Sequence, residues 1–160
     1  MLKRDYDDPY CSVAGTLGVV GERWTLLIVR EILQGRRRFS EMQRTLGVAR
    51  NVLAARLERL AQEGILERRP YGDHAQRHEY FLTEKGLDLW PVLIALLHWG
   101  DKHVAGEKGP AMTVLHKRCG GEMDEHRICT RCGERMTARD AEALWREDLA
   151  PVRERAAVPA

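Results

Sequence analysis

The sequence predicts a mainly α fold with a small β wing, followed by a small cysteine-rich C-terminal module. Three observations lead there. Apolar residues recur at helical spacing from Cys11 to Val104, two short β-prone runs flank a turn-rich spacer at 72–76, and two Cys/His pairs lie between 116 and 132. At 160 residues and 44% hydrophobic content the chain can build one compact domain plus an appendage, which argues against wholesale disorder. Residues 1–10 lack the apolar run of a secretory signal, and no apolar stretch approaches the ~18 residues of a membrane span. The expectation is a cytoplasmic protein with no membrane partner. In a reducing compartment its four cysteines point to metal or redox chemistry over structural disulfides.

Cys11 to Val20 reads as a short first helix, weakened by Gly15 and Gly18. Gly21 separates it from a second helix over Glu22 to Gln34, where Trp24, Leu27, Ile28 and Ile32 are joined by Leu26, Val29 and Leu33 in a nearly all-round apolar surface suited to a core. Arg36 to Arg38 form a basic loop. Ser40 with Gln43 then fits a capping box that starts a two-turn third helix, ended by Gly47. The fourth helix spans Ala49 to Glu63, with Leu53, Leu57 and Leu60 on one side and Gly64 as its stop signal. Ile65 to Tyr71 and Arg77 to Leu82 suit a β-hairpin, the wing. Thr83 fits the N-cap of a helix reaching about Val104, which Pro91 must kink or split after Trp90. Every residue from Leu89 to Leu97 is apolar; the two explanations are a partner helix from a second copy, giving a two-fold dimer, or complete burial within one subunit. Gly106 to Pro110 reads as a linker, Thr137 with Asp140 as the capped start of a helix through Leu149, and Pro151 to Ala160 as a frayed tail.

This helix, turn, helix and hairpin order is that of a winged helix-turn-helix. Charge is concentrated on it: Arg30 to Leu60 holds eight arginines against Glu31, Glu41 and Glu58. Winding the fourth helix at ~100° per residue turns Leu53, Leu57 and Leu60 inward. Asn51, Ala54, Ala55, Glu58 and Arg59 then face outward, with Arg50 and Arg56 on the flanks. Asn and Arg can bond adenine and guanine edges, while small alanines allow close approach and contact with thymine methyls. Arg37, Arg38 and Ser40 suit phosphate contacts, and His74 or Arg77 at the wing suits the backbone or the adjacent minor groove. A charge run taken alone is ordinarily only a solvated face. The order of the whole assembly favours double-stranded DNA, a promoter operator, as partner.

Gly21-Glu-Arg-Trp-Thr-Leu-Leu-Ile-Val-Arg-Glu-Ile-Leu, Arg37-Arg-Phe-Ser-Glu, Leu57-Glu-Arg-Leu, Gly64-Ile-Leu-Glu-Arg-Arg and Glu79-Tyr-Phe-Leu-Thr-Glu-Lys-Gly together resemble the HxlR family of bacterial transcriptional regulators, from Cys11 to about His103. The resemblance implies a dimeric winged-helix DNA binder with its first and last helices in the dimer interface. It also implies repression or activation of transcription, in several members through a cysteine near the first helix that responds to electrophiles, oxidants or quinones. Cys11 occupies the matching place. A proline commonly follows that cysteine, where this chain has Ser12, and the wing tip, often proline-bearing, is Asp73-His74-Ala75-Gln76 here.

His116-Lys-Arg-Cys119-Gly and Cys129-Thr-Arg-Cys132-Gly are knuckle-like turns, each with a ligand pair three residues apart and a glycine that frees amides to approach thiolates. A hairpin between them can bring His116, Cys119, Cys129 and Cys132 to one tetrahedral centre, resembling a small zinc ribbon with a closed, structural zinc. The alternatives are a Cys129–Cys132 redox pair, unliganded cysteines, or His126 as a substitute ligand. Cys11 is either a redox-sensing thiol or a buried, inert residue; with no other cysteine before Cys119, an intersubunit disulfide between the DNA-binding domains would join Cys11 to Cys11. Trp24, Trp90, His98, Trp99 and His103 are candidates for an inducer pocket, or simply core.

The expected architecture is therefore a winged helix-turn-helix dimer over residues 1–105, with a linker, zinc-ribbon-like module and C-terminal helix over 106–160. Its expected function is sequence-specific transcriptional regulation by a homodimer, responding to a redox or small-molecule signal. A rival enzyme built on the Cys/His cluster needs an open metal position, which four protein ligands leave no room for. A second rival is an interaction adaptor whose ribbon recruits a partner while the winged helix binds DNA weakly.

Overall fold

The computed structural model describes residues 11–72 and 77–146. Between Gly86 and Leu87 the chain divides into two compact units, each described by itself.

The first unit begins with α1 (Ser12–Val20), whose N-cap is Cys11. Next comes α2 (Thr25–Leu33), shorter at its start than the apolar pattern predicts, because Trp24 rather than Glu22 begins the helix. Its residues Ile28, Val29 and Ile32 are buried, as the all-round apolar composition requires. α3 (Phe39–Leu46) and α4 (Arg50–Gln62) form the helix-turn-helix. The turn between them depends on Gly47, held at φ 62°, a left-handed conformation that a side chain strains. α2 packs on both helices, and Met42, Val48, Leu53, Leu57, Leu60 and Ile65 fill the space between them.

β1 (Leu66–Pro70) and β2 (His78–Leu82) pair antiparallel, with Leu66 opposite Leu82 and Pro70 opposite His78. This is the expected wing, short by one residue at each tip-facing end; its tip, with His74, lies outside the described residues. One addition was not legible in the sequence. The Tyr80 amide donates to the Arg37 carbonyl at 2.9 Å and Arg38 forms a bridge with Glu79, so the basic loop joins the wing as a third, abbreviated strand.

Thr83 caps α5 (Glu84–Leu87) as expected: its Oγ1 accepts the Gly86 amide at 3.2 Å and donates to the Gly64 carbonyl at 2.7 Å. The helix breaks before Pro91, which lies in the first turn of α6 (Trp90–His103), where a missing amide hydrogen costs nothing. In the second unit α6 is followed by a 3₁₀ turn (Gly106–Lys108) inside the expected linker.

β3 (Met112–His116) pairs antiparallel with β4 (Ala141–Trp145). The expected helix from Thr137 is therefore corrected at 141–145, which is a strand; 147–149 lie outside the described residues. The Thr137–Asp140 contacts form, with the Thr137 amide donating to Asp140 Oδ2 at 3.0 Å, but they close a turn. The Asp140 carbonyl then accepts the Lys117 amide at 2.8 Å, and the open edge of β3 captures the segment that follows. Local spacing alone cannot see that edge.

Leu57 is 1% exposed within the core of the first unit, so a smaller side chain there leaves a cavity. Leu57→Ala is expected to cost about 2–5 kcal/mol, read as a lower denaturant midpoint with an unchanged slope.

Candidate nucleic-acid interface and metal centre

α4 presents the face expected of it. Asn51, Ala54, Ala55, Glu58 and Arg59 are exposed, opposite the buried Leu53, Leu57 and Leu60. Arg50 is exposed and stacks on Phe39, 5.2 Å from the ring centroid. The other arginines are more engaged than their spacing suggests. Arg56 pairs with Glu22 at 3.2 Å and its side chain is only 20% exposed, while Arg59 pairs with Glu63 one turn on at 2.8 Å. Glu58 pairs with Arg68 of β1, tying the outer face of α4 to the wing.

Arg37 and Arg38 are exposed on a loop held from three sides. Behind it, the fully buried Glu31 carboxylate takes Arg36 Nη1 at 3.1 Å and Arg30 Nη2 at 2.5 Å. Ahead of it, Glu41 Oε2 accepts the backbone amides of Arg37 and Arg38 at 3.2 and 3.0 Å. The third helix thus starts at Phe39, with Arg38 as N-cap and Glu41 as the capping acid, instead of at Ser40. A carboxylate reaching two free amides makes stronger bonds than the Ser40 hydroxyl can. Ser40 sits exposed in the first turn.

To the side lies the wing. Arg38 Nε donates to Glu79 at 3.0 Å and the Arg38 guanidinium stacks on Tyr71 at 4.6 Å. Arg37 and Arg69 both stack on Phe81, at 4.5 and 4.2 Å from its centroid. Arg68 and Arg69 are exposed wing cations that sequence reasoning missed. The paired arginines just before Pro70, at the end of β1, were the available signal. Arg77 is also exposed, and its backbone carbonyl closes the hairpin by accepting the Tyr71 amide at 3.0 Å.

In the second unit His116, Cys119, Cys129 and Cys132 come together, their ligand atoms all within 4.8 Å of one another. His116 Nδ1 lies 3.2 Å from Cys132 Sγ and 3.4 Å from Cys119 Sγ, and the Cys119 and Cys129 sulfurs are 3.4 Å apart. The two knuckles form as their spacing predicts. The amides of Cys119 and Gly120 turn back to the His116 carbonyl at 3.2 and 2.8 Å, and Gly133 to Cys129 at 2.9 Å, with both glycines at positive φ. The Cys132 and Arg131 amides, with the Cys119 thiol and the His116 ring, hold the Cys129 thiol down to about 6 against the opposing effect of burial. His116 is buried, with Nδ1 facing the sulfurs and Nε2 on the other side of the ring, 3.8 Å from the Glu134 carboxylate. His126 is exposed beside Glu125 and is not part of the group. Three sulfurs and one imidazole nitrogen at this spacing can hold a metal ion.

Cys11 is half-buried at the start of α1, its Sγ accepting the Ala14 amide at 3.5 Å. Of the aromatic and histidine residues considered for a pocket, Trp24 belongs to the first unit and the other four to α6, where Trp99 and His103 stack at 5.2 Å.

A family model described as HxlR-like helix-turn-helix matches residues 19–108. A relative in Mycobacterium tuberculosis, named as an uncharacterized HTH-type transcriptional regulator, is 46% identical over 129 residues, covering 81% of this chain and 82% of its own. That aligned length exceeds the whole of 1–108, so the likeness continues into the C-terminal module. Among solved structures, PA1607, named as a transcription factor, has a TM-score of 0.68 at 32% identity and covers 84% of this chain and 94% of its own. The redox regulator HypR in its reduced form has a TM-score of 0.54 at 30% identity, covering 57% of this chain and 92% of its own.

Gly121 packs against a sulfur of the Cys/His cluster: a Cβ there would lie 2.6 Å from Cys129 Sγ and 2.5 Å from the Arg131 Cβ. Gly121→Ala is therefore expected to push the second knuckle out of register and weaken metal binding at least tenfold, measured by competition with a chromogenic chelator.

Proposed function

Because the chain belongs to the HxlR family of helix-turn-helix transcriptional regulators, we propose that it works as a homodimer on a promoter operator, each subunit setting α4 into a major groove of one duplex. The observation that carries this reading is the exposed face of α4, with Arg50, Asn51, Ala54 and Ala55 free of the core while Leu53, Leu57 and Leu60 are buried. Arg50 and Asn51 read base edges and the alanines permit close approach. Arg37, Arg38, Ser40 and Arg77 contact phosphates, joined by His74 at the wing tip; Arg56 and Arg59, held by Glu22 and Glu63, serve the backbone rather than the bases.

Dimerisation is supported by apolar side chains that one subunit leaves in water. Val92, Leu96 and Trp99, at 39, 51 and 61% exposure, lie along one face of α6, and Val13 and Leu17 lie on α1. Residues 1–105 thus serve DNA binding and dimerisation, and 106–160 form the metal module. In that module zinc is the ion the donor set favours: His116, Cys119, Cys129 and Cys132 fill all four tetrahedral positions, leaving none for catalysis. No single helix among the described residues is long and apolar enough to cross a membrane, in keeping with a regulator acting on DNA in the cytoplasm. A thiol at a helix N-terminus, in a relative of a redox regulator, supports Cys11 as a redox sensor; oxidant-dependent DNA release that is unaltered in Cys11→Ser would remove it.

Arg50→Ala is expected to weaken binding to a selected operator by about 1–3 kcal/mol with no change in unfolding midpoint, measured by fluorescence anisotropy. Equal affinity for operator and unrelated DNA would instead favour the adaptor reading. Trp99→Glu should convert the dimer to monomer in sedimentation and lower operator affinity about a hundredfold, through loss of the second half-site. Protein purified without chelator should carry close to one zinc per chain, and its absence would exclude the site.

A further inference from the structure

We propose that the metal centre is also an oxidation site, at which Cys132 takes the first attack of a peroxide and the ion leaves as a disulfide forms. This rests on zinc occupying the cluster. The four ligands are unequally protected. His116 and Cys129 are 2% and 1% exposed, Cys119 is half-buried, and Cys132 is exposed. A metal-bound thiolate retains a lone pair, so that of the exposed residue Cys132 remains a nucleophile toward a small oxidant, while Cys129 is shielded by burial and the half-buried Cys119 is less open than Cys132.

The neighbours are placed to complete the reaction. All ligand atoms lie within 4.8 Å, and Cys129 shares a knuckle with Cys132. The Cys132 thiolate attacks one peroxide oxygen, the O–O bond breaks, and the other oxygen leaves as hydroxide or alkoxide, giving a sulfenic acid. The thiolate of Cys119 or Cys129 then attacks that sulfur, an S–S bond forms and hydroxide leaves. Two thiolates have lost two electrons, the peroxide has gained them, and two ligands remain for the metal. Two ligands do not retain zinc, which departs.

The site is built into the fold around it. His116 is the last residue of β3 and pairs with Ala141 of β4, so releasing the imidazole frees the end of the ribbon sheet. The same compact unit contains α6 with its exposed Val92, Leu96 and Trp99. Cys11 belongs to the other unit, so the two thiol responses are separable by mutation.

The test uses the reduced, zinc-loaded full chain treated anaerobically with hydrogen peroxide, reading released zinc with a chromogenic chelator and free thiols by alkylation and mass mapping. The expected result is release of about one zinc per chain with loss of two cluster thiols, unchanged in Cys11→Ser. At substoichiometric peroxide the first modified residue should be Cys132. Cys132→His keeps a fourth ligand but removes the exposed thiol, and should release zinc at least tenfold more slowly. Zinc that stays bound while peroxide is consumed, or first oxidation at Cys119 or Cys129, overturns the proposal. If the chain carries no zinc before peroxide is added, the metal reading itself falls.

Discussion

The exposed basic surface of the helix-turn-helix and wing is organised by one buried charge. Glu31, at the end of α2, is fully removed from solvent and held by Arg30 and Arg36. A buried carboxylate cannot be left unpaired, so Arg36 has to turn back into the fold, and the loop that follows leaves α2 in a set direction. Removing one partner from such a pair costs about 3–5 kcal/mol, although the intact pair adds little net stability. Its effect here is geometric: the next two arginines point outward, where Glu41 collects their amides and the wing collects the Arg37 carbonyl.

From that anchor the rest of the interface follows by short links. α3 starts where Glu41 caps it, Gly47 turns the chain, and the buried leucines of α4 leave its opposite face exposed. Arginines meet aromatic rings at Phe39, Tyr71 and Phe81, which limits the freedom of long side chains before a ligand arrives. Less entropy is then lost when a phosphate binds. The ion pairs of Arg56, Arg59 and Arg68 are exposed or partly exposed; their role is to orient rather than to stabilise.

The second unit solves a different problem. The ribbon has few apolar side chains to bury, among them Val114, Met123 and Met136, and a segment of that size cannot rely on a core. The four residues gathered at the knuckles, which can hold a metal ion, lie where such a core would be needed. Backbone amides aimed at Cys129, a buried histidine with Nδ1 toward the sulfurs and a glycine with no space for a Cβ are the marks of a site shaped around its sulfurs.

Local patterns in the sequence determined a great deal. The leucine spacing in α4, the Thr83 cap, the Pro91 break, the hairpin and the two Cys/His knuckles all depend on residues within a few positions of one another, and each is present in the structure. Tertiary structure decided what depends on distant partners. Arg56 turned to Glu22, thirty-four positions earlier in the chain, and Arg38 to Glu79, forty-one positions later. Residues 141–145 became a strand because β3 offered unpaired backbone groups, and no periodicity within a segment records whether an open edge lies beside it.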